Sequence, residues 1–160
     1  MPVDICQLTS NDLLLMKGLL TTFGEAFNEV ETYTSSCPSE DYLQRLLGSE
    51  TFIALAAVKN GEVVGGIAAY ELRKFEQERS EIYIYDLAVA SGHRRQGIAT
   101  ALIEKLKQIA SARGAYVIFV QADTSVEDEP AIALYTSWEG ARMSCTLISR
   151  LRTRMALHNN

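Results

Sequence analysis

The stretch YDLAVASGHRRQGIATALIEKLKQ, from Tyr85 to Gln108, decides the fold that we expect for this chain. An apolar strand pattern leads into a turn with two adjacent arginines and a glycine, and the turn leads into an amphipathic pattern. Apolar residues recur at helical spacing over 98–113, and Gly114 is suited to end that helix as a left-handed cap. The stretch therefore predicts a strand, a basic glycine turn and a helix in direct succession.

The segments around this unit predict a mixed sheet with helices on its faces. Residues 9–12, Thr-Ser-Asn-Asp, offer caps for a first helix, and Pro38 and Ser39 open a second, shorter one. Apolar or β-branched runs predict strands at 51–58, 63–72, 81–89 and 116–120, with Asn60-Gly61 as a hairpin turn between the first two. Pro130 starts a last predicted helix. A strand–helix–strand crossover beside a hairpin indicates the mixed sheet, and the length of 160 residues indicates a single domain over residues 1–160.

Composition excludes several classes of function. The net charge of −5 disfavours a nucleic-acid partner and favours a cationic ligand, and no apolar run is long enough to cross a membrane. The N-terminus lacks the pattern of a secretory signal, and the three cysteines are scattered, as in a reduced cytoplasm. His93 and His158 stand alone, so we expect no metal site. We therefore expect a cytoplasmic protein with a cationic ligand.

The turn from Arg94 to Thr100 has the features of a diphosphate site. The first N–H groups of a helix lack partners inside the helix, and the macrodipole adds positive charge there. Gly97 and Ala99 leave room for a ligand to approach the backbone, the two arginines add charge, and Thr100 adds a hydroxyl. A merely solvated basic loop is the alternative. Neither the Gly-x-Gly-x-x-Gly pattern nor the P-loop pattern is present, so those two nucleotide folds are not indicated.

The segment RRQGIA, from Arg94 to Ala99, resembles the Arg/Gln-x-x-Gly-x-Gly/Ala signature of the GCN5-related N-acetyltransferases. It follows the strand end DLAV and precedes a helix and a strand, which is the context of that signature. Further segments, TFIALAA, RSEIYIYDLAV, HRRQGIATALI and GAYVI, are similar to the type I aminoglycoside 3-N-acetyltransferases, from Thr51 to Thr136. The resemblance implies an α/β (α+β) fold with a mixed, mostly antiparallel sheet flanked by helices.

The resemblance also implies an activity, a cofactor and an assembly. The protein would transfer an acetyl group from acetyl-CoA to the 3-amino group of the deoxystreptamine ring of gentamicin-like antibiotics, thereby conferring resistance, and would form a homodimer. By similarity, Arg94–Thr100 hold the pyrophosphate of coenzyme A, and the strand end Leu87–Val89 pairs with the pantetheine arm. The cofactor-binding residues implied in this way are Leu87, Ala88, Val89, Arg94, Arg95, Gln96, Gly97, Ile98, Ala99 and Thr100.

Acetyl transfer requires a neutral amine, so a general base must remove a proton, and an acid must protonate the leaving thiolate. Asp86 is our candidate for the base or the amine anchor, because strand alternation places it with Ile82, Ile84 and Ala88 on a largely apolar face. A carboxylate there costs free energy unless it is paired or used, and a structural acceptor is the alternative role. Tyr135 matches the family position of the acid, and simple ring packing is the alternative there.

Acidic residues after the last predicted strand are candidates for contact with a polycationic substrate. They are Asp123, just past that strand, which is also our second candidate for the base or amine anchor, and the run Glu127, Asp128 and Glu129. A solvated acidic face at the start of the helix that begins at Pro130 is the alternative. Tyr83 and Tyr85 are candidates to line the cleft, and core packing is the alternative for both.

The resemblance stops after Thr136, and residues 137–160 form an atypical, basic tail without an alternating strand pattern of comparable quality. An offset reading of freely chosen codons restores family-like segments, so one lost base near Thr136 is our hypothesis for the tail. We expect the changed tail to remove a shielding edge of the sheet and to lower stability, with non-native pairing and fraying of the tail as the two alternatives. Two alternative functions stay open, namely acetylation of another amine (a polyamine, a peptide or a lysine) and non-catalytic binding of CoA.

Overall fold

The computed structural model describes residues 2–121 in full, together with the backbone of 122–123 and 143–148. In chain order the elements are β1 Asp4–Gln7, α1 Leu13–Ala26, a π-helical turn Glu31–Ser35, α2 Glu40–Leu47, β2 Phe52–Lys59, β3 Glu62–Arg73, β4 Ser80–Val89, a 3-10 turn Ser91–His93, α3 Ile98–Arg113, β5 Val117–Asp123 and β6 Met143–Ile148. The predicted helix at Pro130 lies outside the described residues.

The strands form one sheet in the order β1-β2-β3-β4-β5-β6. The first four are antiparallel neighbours, whereas β4 with β5 and β5 with β6 run parallel. The helix α3 makes the crossover between the parallel strands β4 and β5, which a short turn cannot make. The α/β fold with a mixed, mainly antiparallel sheet flanked by helices is therefore confirmed.

Local chemistry fixed most of these elements. The turn between β2 and β3 has Asn60 at φ 54° and Gly61 at φ 82°, the left-handed pair that a tight hairpin requires. The hydroxyl of Ser39 caps α2 by accepting a hydrogen bond from the Tyr42 amide at 3.2 Å. The helix α3 begins at Ile98 and ends at Arg113, as predicted, with Gly114 as its left-handed cap at φ 71°.

Sequence patterns missed two strands. The strand β1 has four residues, DICQ, which are too few for a period to be recognised. The strand β6 lies in the tail, where we expected none, and its backbone pairs with β5 from Ile118 opposite Met143 to Asp123 opposite Ile148. The expectation that the tail leaves β5 as an exposed edge is therefore wrong.

The sheet separates two apolar layers. On one face, α3 packs Leu102, Ile103 and Leu106 against inward residues of β2, β3, β4 and β5. On the other face, α1 and α2 pack against a set of small strand residues, including Ala54, Ala56, Ala68 and Ala88. Gly66 of β3 belongs to this close contact, because a Cβ there would collide with the Leu19 side chain and the Leu55 carbonyl. Among the described residues, no helix is long and apolar enough to cross a bilayer.

Candidate functional site

The strands β4 and β5 separate before β4 ends. They pair from Glu81 opposite Val117 to Ile84 opposite Val120, and no pairing continues beyond that point among the described residues. The strand β4 nevertheless continues to Val89, paired on its other side with β3 as far as Gly65. The backbone of Leu87–Val89 is therefore open towards β5, as pairing with an extended amide chain requires.

The turn after β4 presents the N-terminus of α3 without a side chain over it. Gly97 is the N-cap at φ 78°, and within the described part of the chain no side chain caps the helix and no atom lies within 4 Å of the position that a Cβ would occupy. Arg95 also has a left-handed backbone, with φ 61°. The free amides of the first helical turn consequently face an open space, which suits an anion.

The side chains of this turn divide into exposed and buried ones. Exposed positions are Arg94, Arg95, Gln96, Gly97 and Thr100, and Ala99 is half-buried. The side chain of Ile98 belongs to the α3 core, so only its backbone can reach a ligand. The Arg94 Nε atom donates a hydrogen bond to the Val89 carbonyl at 3.2 Å, which joins the turn to the end of β4.

A β-bulge at Tyr85 corrects the predicted orientation of Asp86. In the pairing with β3, Ala68 lies opposite Asp86 but Ala69 lies opposite Ile84, so Tyr85 is the extra residue. Ile82 and Ile84 pack in the α3 layer, whereas Ala88 packs in the α1–α2 layer. The prediction that Asp86 shares a face with Ala88 is confirmed, but the prediction that it shares one with Ile82 and Ile84 is wrong.

Asp86 is held by a residue that the sequence analysis did not assign. The Tyr33 hydroxyl, from the π-helical turn, donates a hydrogen bond to Asp86 Oδ2 at 3.0 Å. The Tyr33 ring lies 6.2 Å from the ring of Phe23, on α1, and 6.1 Å from the ring of Phe27, the residue that follows α1. Gly24 permits this approach, because a Cβ there would lie 3.2 Å from Tyr33 Cβ. The local sequence around Tyr33 gives no sign of a partner 53 positions away.

Five aromatic rings form a continuous row beside Asp86, which we call the aromatic row: Phe52, Tyr70, Tyr85, Tyr83 and Phe119. Successive ring centroids along it are 5.2, 5.9, 6.0 and 4.9 Å apart. Burial raises the pKa of Tyr70 and of Tyr83, and the negative charge of Asp86 contributes to both shifts. Both phenols therefore stay neutral at physiological pH, close to the Asp86 carboxylate.

The remaining predicted residues are only partly placed. Asp123 ends β5, where its backbone pairs with Ile148 of β6. Tyr135 and the run Glu127, Asp128 and Glu129 lie outside the described residues. The structure thus brings together Asp86, the open strand end Leu87–Val89 and the basic turn. The roles of Tyr135 as the acid and of Glu127–Glu129 in substrate contact stay predictions.

Cys6 does not have the environment of a nucleophile. Burial raises the pKa of the Cys6 thiol, with further contributions from the charges of Asp12 and Asp4, so the thiolate is disfavoured. Its Sγ lies 3.6 Å from the Ala56 carbonyl, as in a packed thiol. Direct transfer to the amine, without an acyl-enzyme, is consistent with this environment.

Comparisons with known proteins agree with this geometry. A family model described as acetyltransferase (GNAT) family matches residues 17–140. An aminoglycoside acetyltransferase, HMB0005, from an uncultured soil metagenomic sample is 63% identical with a TM-score of 0.86, covering 96% of this chain and all of that one. A second soil metagenomic enzyme, meta-AAC0020, crystallised with sisomicin, is 30% identical with a TM-score of 0.80, covering 94% of this chain and 95% of its own.

Curated relatives are more distant. N-acetyltransferase family 8 member 3 of Rattus norvegicus is 30% identical over 129 residues, which are 76% of this chain and 55% of that protein. The chain spans about half the length of the curated relatives that it matches, or less.

Proposed function

Because the chain belongs to the acetyltransferase (GNAT) family, we propose that it transfers an acetyl group from acetyl-CoA to an amino group of an aminoglycoside. Acetyl-CoA is the acetyl donor of this family. The observation that carries the proposal is the uncapped N-terminus of α3 at Gly97, directly beside the open strand end Leu87–Val89. An aminoglycoside acetyltransferase with 63% identity supports the choice of substrate.

The basic turn fits the negative part of coenzyme A. The backbone amides at 97–100 would hold the pyrophosphate, and Arg94 and Arg95 would add charge from the rim. The approach needs space as well as donors, and the empty surroundings of the Gly97 Cβ position provide it. The amides and carbonyls of Leu87–Val89 would pair with the pantetheine arm and thereby direct the thioester towards Asp86.

The reaction that we propose is direct acyl transfer. Asp86, acting directly or through a water molecule, accepts the proton that leaves the attacking amine, so that the nitrogen lone pair can form the new C–N bond. As the C–S bond of the thioester breaks, Tyr135 donates its phenolic proton to the departing sulfur. The amide and the free thiol of CoA leave as neutral products, Asp86 is left protonated and Tyr135 is left as a phenolate. Proton exchange with solvent then returns both side chains to their starting states, and no redox change occurs. Asp123 and Glu127–Glu129 would bind the remaining ammonium groups of the substrate.

For the position of acetylation, we propose the 3-amino group of the deoxystreptamine ring. The support for this choice is the resemblance of the chain from Thr51 to Thr136 to the type I aminoglycoside 3-N-acetyltransferases. The purified protein should be incubated with acetyl-CoA and gentamicin, and the product analysed by mass spectrometry with fragmentation. One added acetyl group on the deoxystreptamine ring is the expected result.

Two competing substrates make this assay decisive. Faster acetylation of spermidine or of a basic peptide than of gentamicin would contradict the aminoglycoside proposal and assign another amine. Calorimetric binding of CoA without turnover on any of the three would assign a non-catalytic CoA-binding protein.

We also propose that the tail after Thr136 arose by a frame shift and that the protein forms a homodimer, as the resemblance implies. Sequencing the gene tests the first point, because the offset frame must spell family-like residues. If the tail is altered, a shift-corrected chain should melt at a higher temperature. Size-exclusion chromatography with light scattering tests the homodimer, and a monomeric mass at micromolar concentration would contradict it.

A further inference from the structure

The aromatic row crosses the sheet on the face that carries Asp86. Its rings come from four neighbouring strands, β2 to β5, so the row is a product of strand register and not of one motif. Tyr70 packs with the α1–α2 layer, which places the row on that side of the sheet. The hydrogen bond between Tyr33 and Asp86 comes from the same side. Rings and carboxylate therefore border one space.

Tyr85 occupies an unusual position within the row. It lies on β4 directly after the last residue paired with β5, and 59% of its surface is exposed, whereas Phe52 at the end of the row is only 5% exposed. A tyrosine with this exposure contributes little to the core, because most of its ring still faces water. Its exposure therefore leaves a ring face free to contact a ligand.

The bulge explains how Tyr85 and Asp86 come to neighbour each other in space. Successive residues of a regular strand point to opposite faces, so a ring and a carboxylate in sequence would be separated by the sheet. The extra residue at Tyr85 suspends that alternation. The Tyr85 ring contacts Tyr70 and Tyr83, and the negative charge of Asp86 helps to raise the pKa of both of these phenols. The bulge thus places the Tyr85 ring and the Asp86 carboxylate on the same face of the sheet.

The angled arrangement of the rings suits a puckered, saturated ring. Tyr85 stands at 82° to Tyr70 and at 82° to Tyr83, so the three rings form corners and not a flat stack. The face of an aromatic ring is electron-rich and attracts the polarised C–H groups of a sugar as well as ammonium groups. An amino sugar has both kinds of group on one rigid ring.

We propose that Tyr85, together with Tyr70 and Tyr83, forms a stacking surface for a sugar ring of the aminoglycoside and thereby brings its amine to Asp86. This inference rests on the proposed function and adds the residues that select rings over linear amines. It predicts that substrate affinity depends on the Tyr85 ring itself, and that cofactor affinity does not.

The test compares Tyr85→Ala with Tyr85→Phe by calorimetry with gentamicin on the CoA-loaded protein, and by steady-state acetylation of gentamicin and spermidine. We expect Tyr85→Ala to weaken gentamicin binding about tenfold, because one ring contact with a cationic sugar is worth about that much. Tyr85→Phe keeps the ring and should stay within about threefold of the wild type. The KM for spermidine, which has no ring, should change less, and the affinity for CoA should not change.

A matched control is available in Tyr116, which is 55% exposed and lies outside the aromatic row. Tyr116→Ala should leave gentamicin binding unchanged. If wild-type protein acetylates gentamicin but Tyr85→Ala binds it normally, the stacking surface is overturned while the proposed function stands. If Tyr85→Ala and Tyr85→Phe lost gentamicin affinity equally, the effect would belong to the hydroxyl and not to the ring. That result would also overturn the stacking surface. If wild-type protein does not bind gentamicin, both proposals fail.

Discussion

The two sides of the candidate site are encoded in opposite ways. The cofactor side is one continuous segment, from Leu87 to Thr100, in which an open strand end passes into an uncapped helix. The amine side around Asp86 is assembled from the π-helical turn and from four strands. A continuous site depends mainly on its own backbone angles, whereas an assembled site depends on packing between distant segments. Substitutions in the turn should therefore act on cofactor affinity, and substitutions around Asp86 should act on the amine.

The largest effect is expected from Gly97→Val. A branched side chain at φ 78° strains the backbone and occupies the space that the pyrophosphate needs, so CoA affinity should fall at least about 100-fold, the equivalent of one or two lost charge-assisted hydrogen bonds. Isothermal titration calorimetry with CoA measures this loss of affinity. Gly61→Val is the matched control, because Gly61 has φ 82° and equally empty surroundings but lies in the β2–β3 hairpin. Equal CoA affinity in the two variants would contradict the cofactor assignment.

The next effect is expected from Asp86→Asn, which keeps the shape of the side chain and removes its ability to accept a proton. A lost general base lowers kcat by about 100-fold or more, while CoA affinity should not change. Asp41→Asn, at an exposed position in the first turn of α2, is the control and should leave both kcat and CoA affinity unchanged. A rise in KM with unchanged kcat would identify Asp86 as an amine anchor, and unchanged kcat/KM would exclude both roles.

A smaller effect is expected from Tyr33→Phe, which removes only the hydroxyl that donates a hydrogen bond to Asp86. A hydrogen bond to a charged group contributes about 1.5–3 kcal/mol, so kcat/KM should fall about tenfold while CoA affinity stays constant. Tyr116→Phe removes a phenol outside the site and serves as the control. If Tyr33→Phe matched the wild type in kcat/KM, Tyr33 would be a packing residue alone.

The smallest effect is expected outside both regions, from Arg113→Gln at the end of α3. The Arg113 Nη1 atom lies 2.6 Å from Glu71 Oε2, and the two side chains are 28% and 14% exposed. Burial alone would raise the pKa of Glu71, but hydrogen bonds from Arg113 and Ser80 and the nearby positive charges outweigh it and lower that pKa. At neutral pH the variant should lose about 1 kcal/mol of stability, measured by urea unfolding.

The sign of the pH dependence follows from that lowered pKa. A carboxyl whose pKa is lower in the folded state stabilises the protein above its ordinary value of 4.5, and this contribution disappears as the pH falls through the folded value. The difference between wild type and Arg113→Gln should therefore narrow below pH 4.5. Lys107→Gln removes an exposed pair on the same helix, so it should cost less than about 0.5 kcal/mol. A constant difference from neutral to acidic pH would contradict the role of Glu71.

The sequence predicted the strand, turn and helix from Leu87 to Arg113 well because their determinants are local, whereas the binding of the cofactor there stays a prediction. The glycine at position 97 and the helical spacing from Ile98 to Arg113 are properties of one short segment, and the structure has the helix at those bounds. Strand positions were predictable for the same reason, since apolar runs mark β2, β3, β4 and β5. The parallel pairing of β6 could not be predicted, because partner choice is a property of the whole sheet.

The amine side was predictable only in part. Asp86 stood out because a carboxylate on a central strand is costly, but its orientation was wrong because a bulge leaves no clear signal in the sequence. Tyr33 was missed because its partner is 53 positions away and its ring is positioned by Phe23 and Phe27. Contacts of this kind depend on tertiary packing, which periodicity does not report.

The extra residue in β4 makes this stretch sensitive to length as well as to chemistry. If one residue were inserted into β3 between Ala68 and Ala69, opposite Tyr85, the bulge would be lost and strict alternation would return. Asp86 would then share the face of Ile84, and its carboxylate would point into the apolar layer beneath α3. Deletion of Tyr85 would also restore alternation, but it would leave Asp86 on its present face and remove only the ring. The difference in residue count between the two paired strands thus decides which side of the sheet carries the charge.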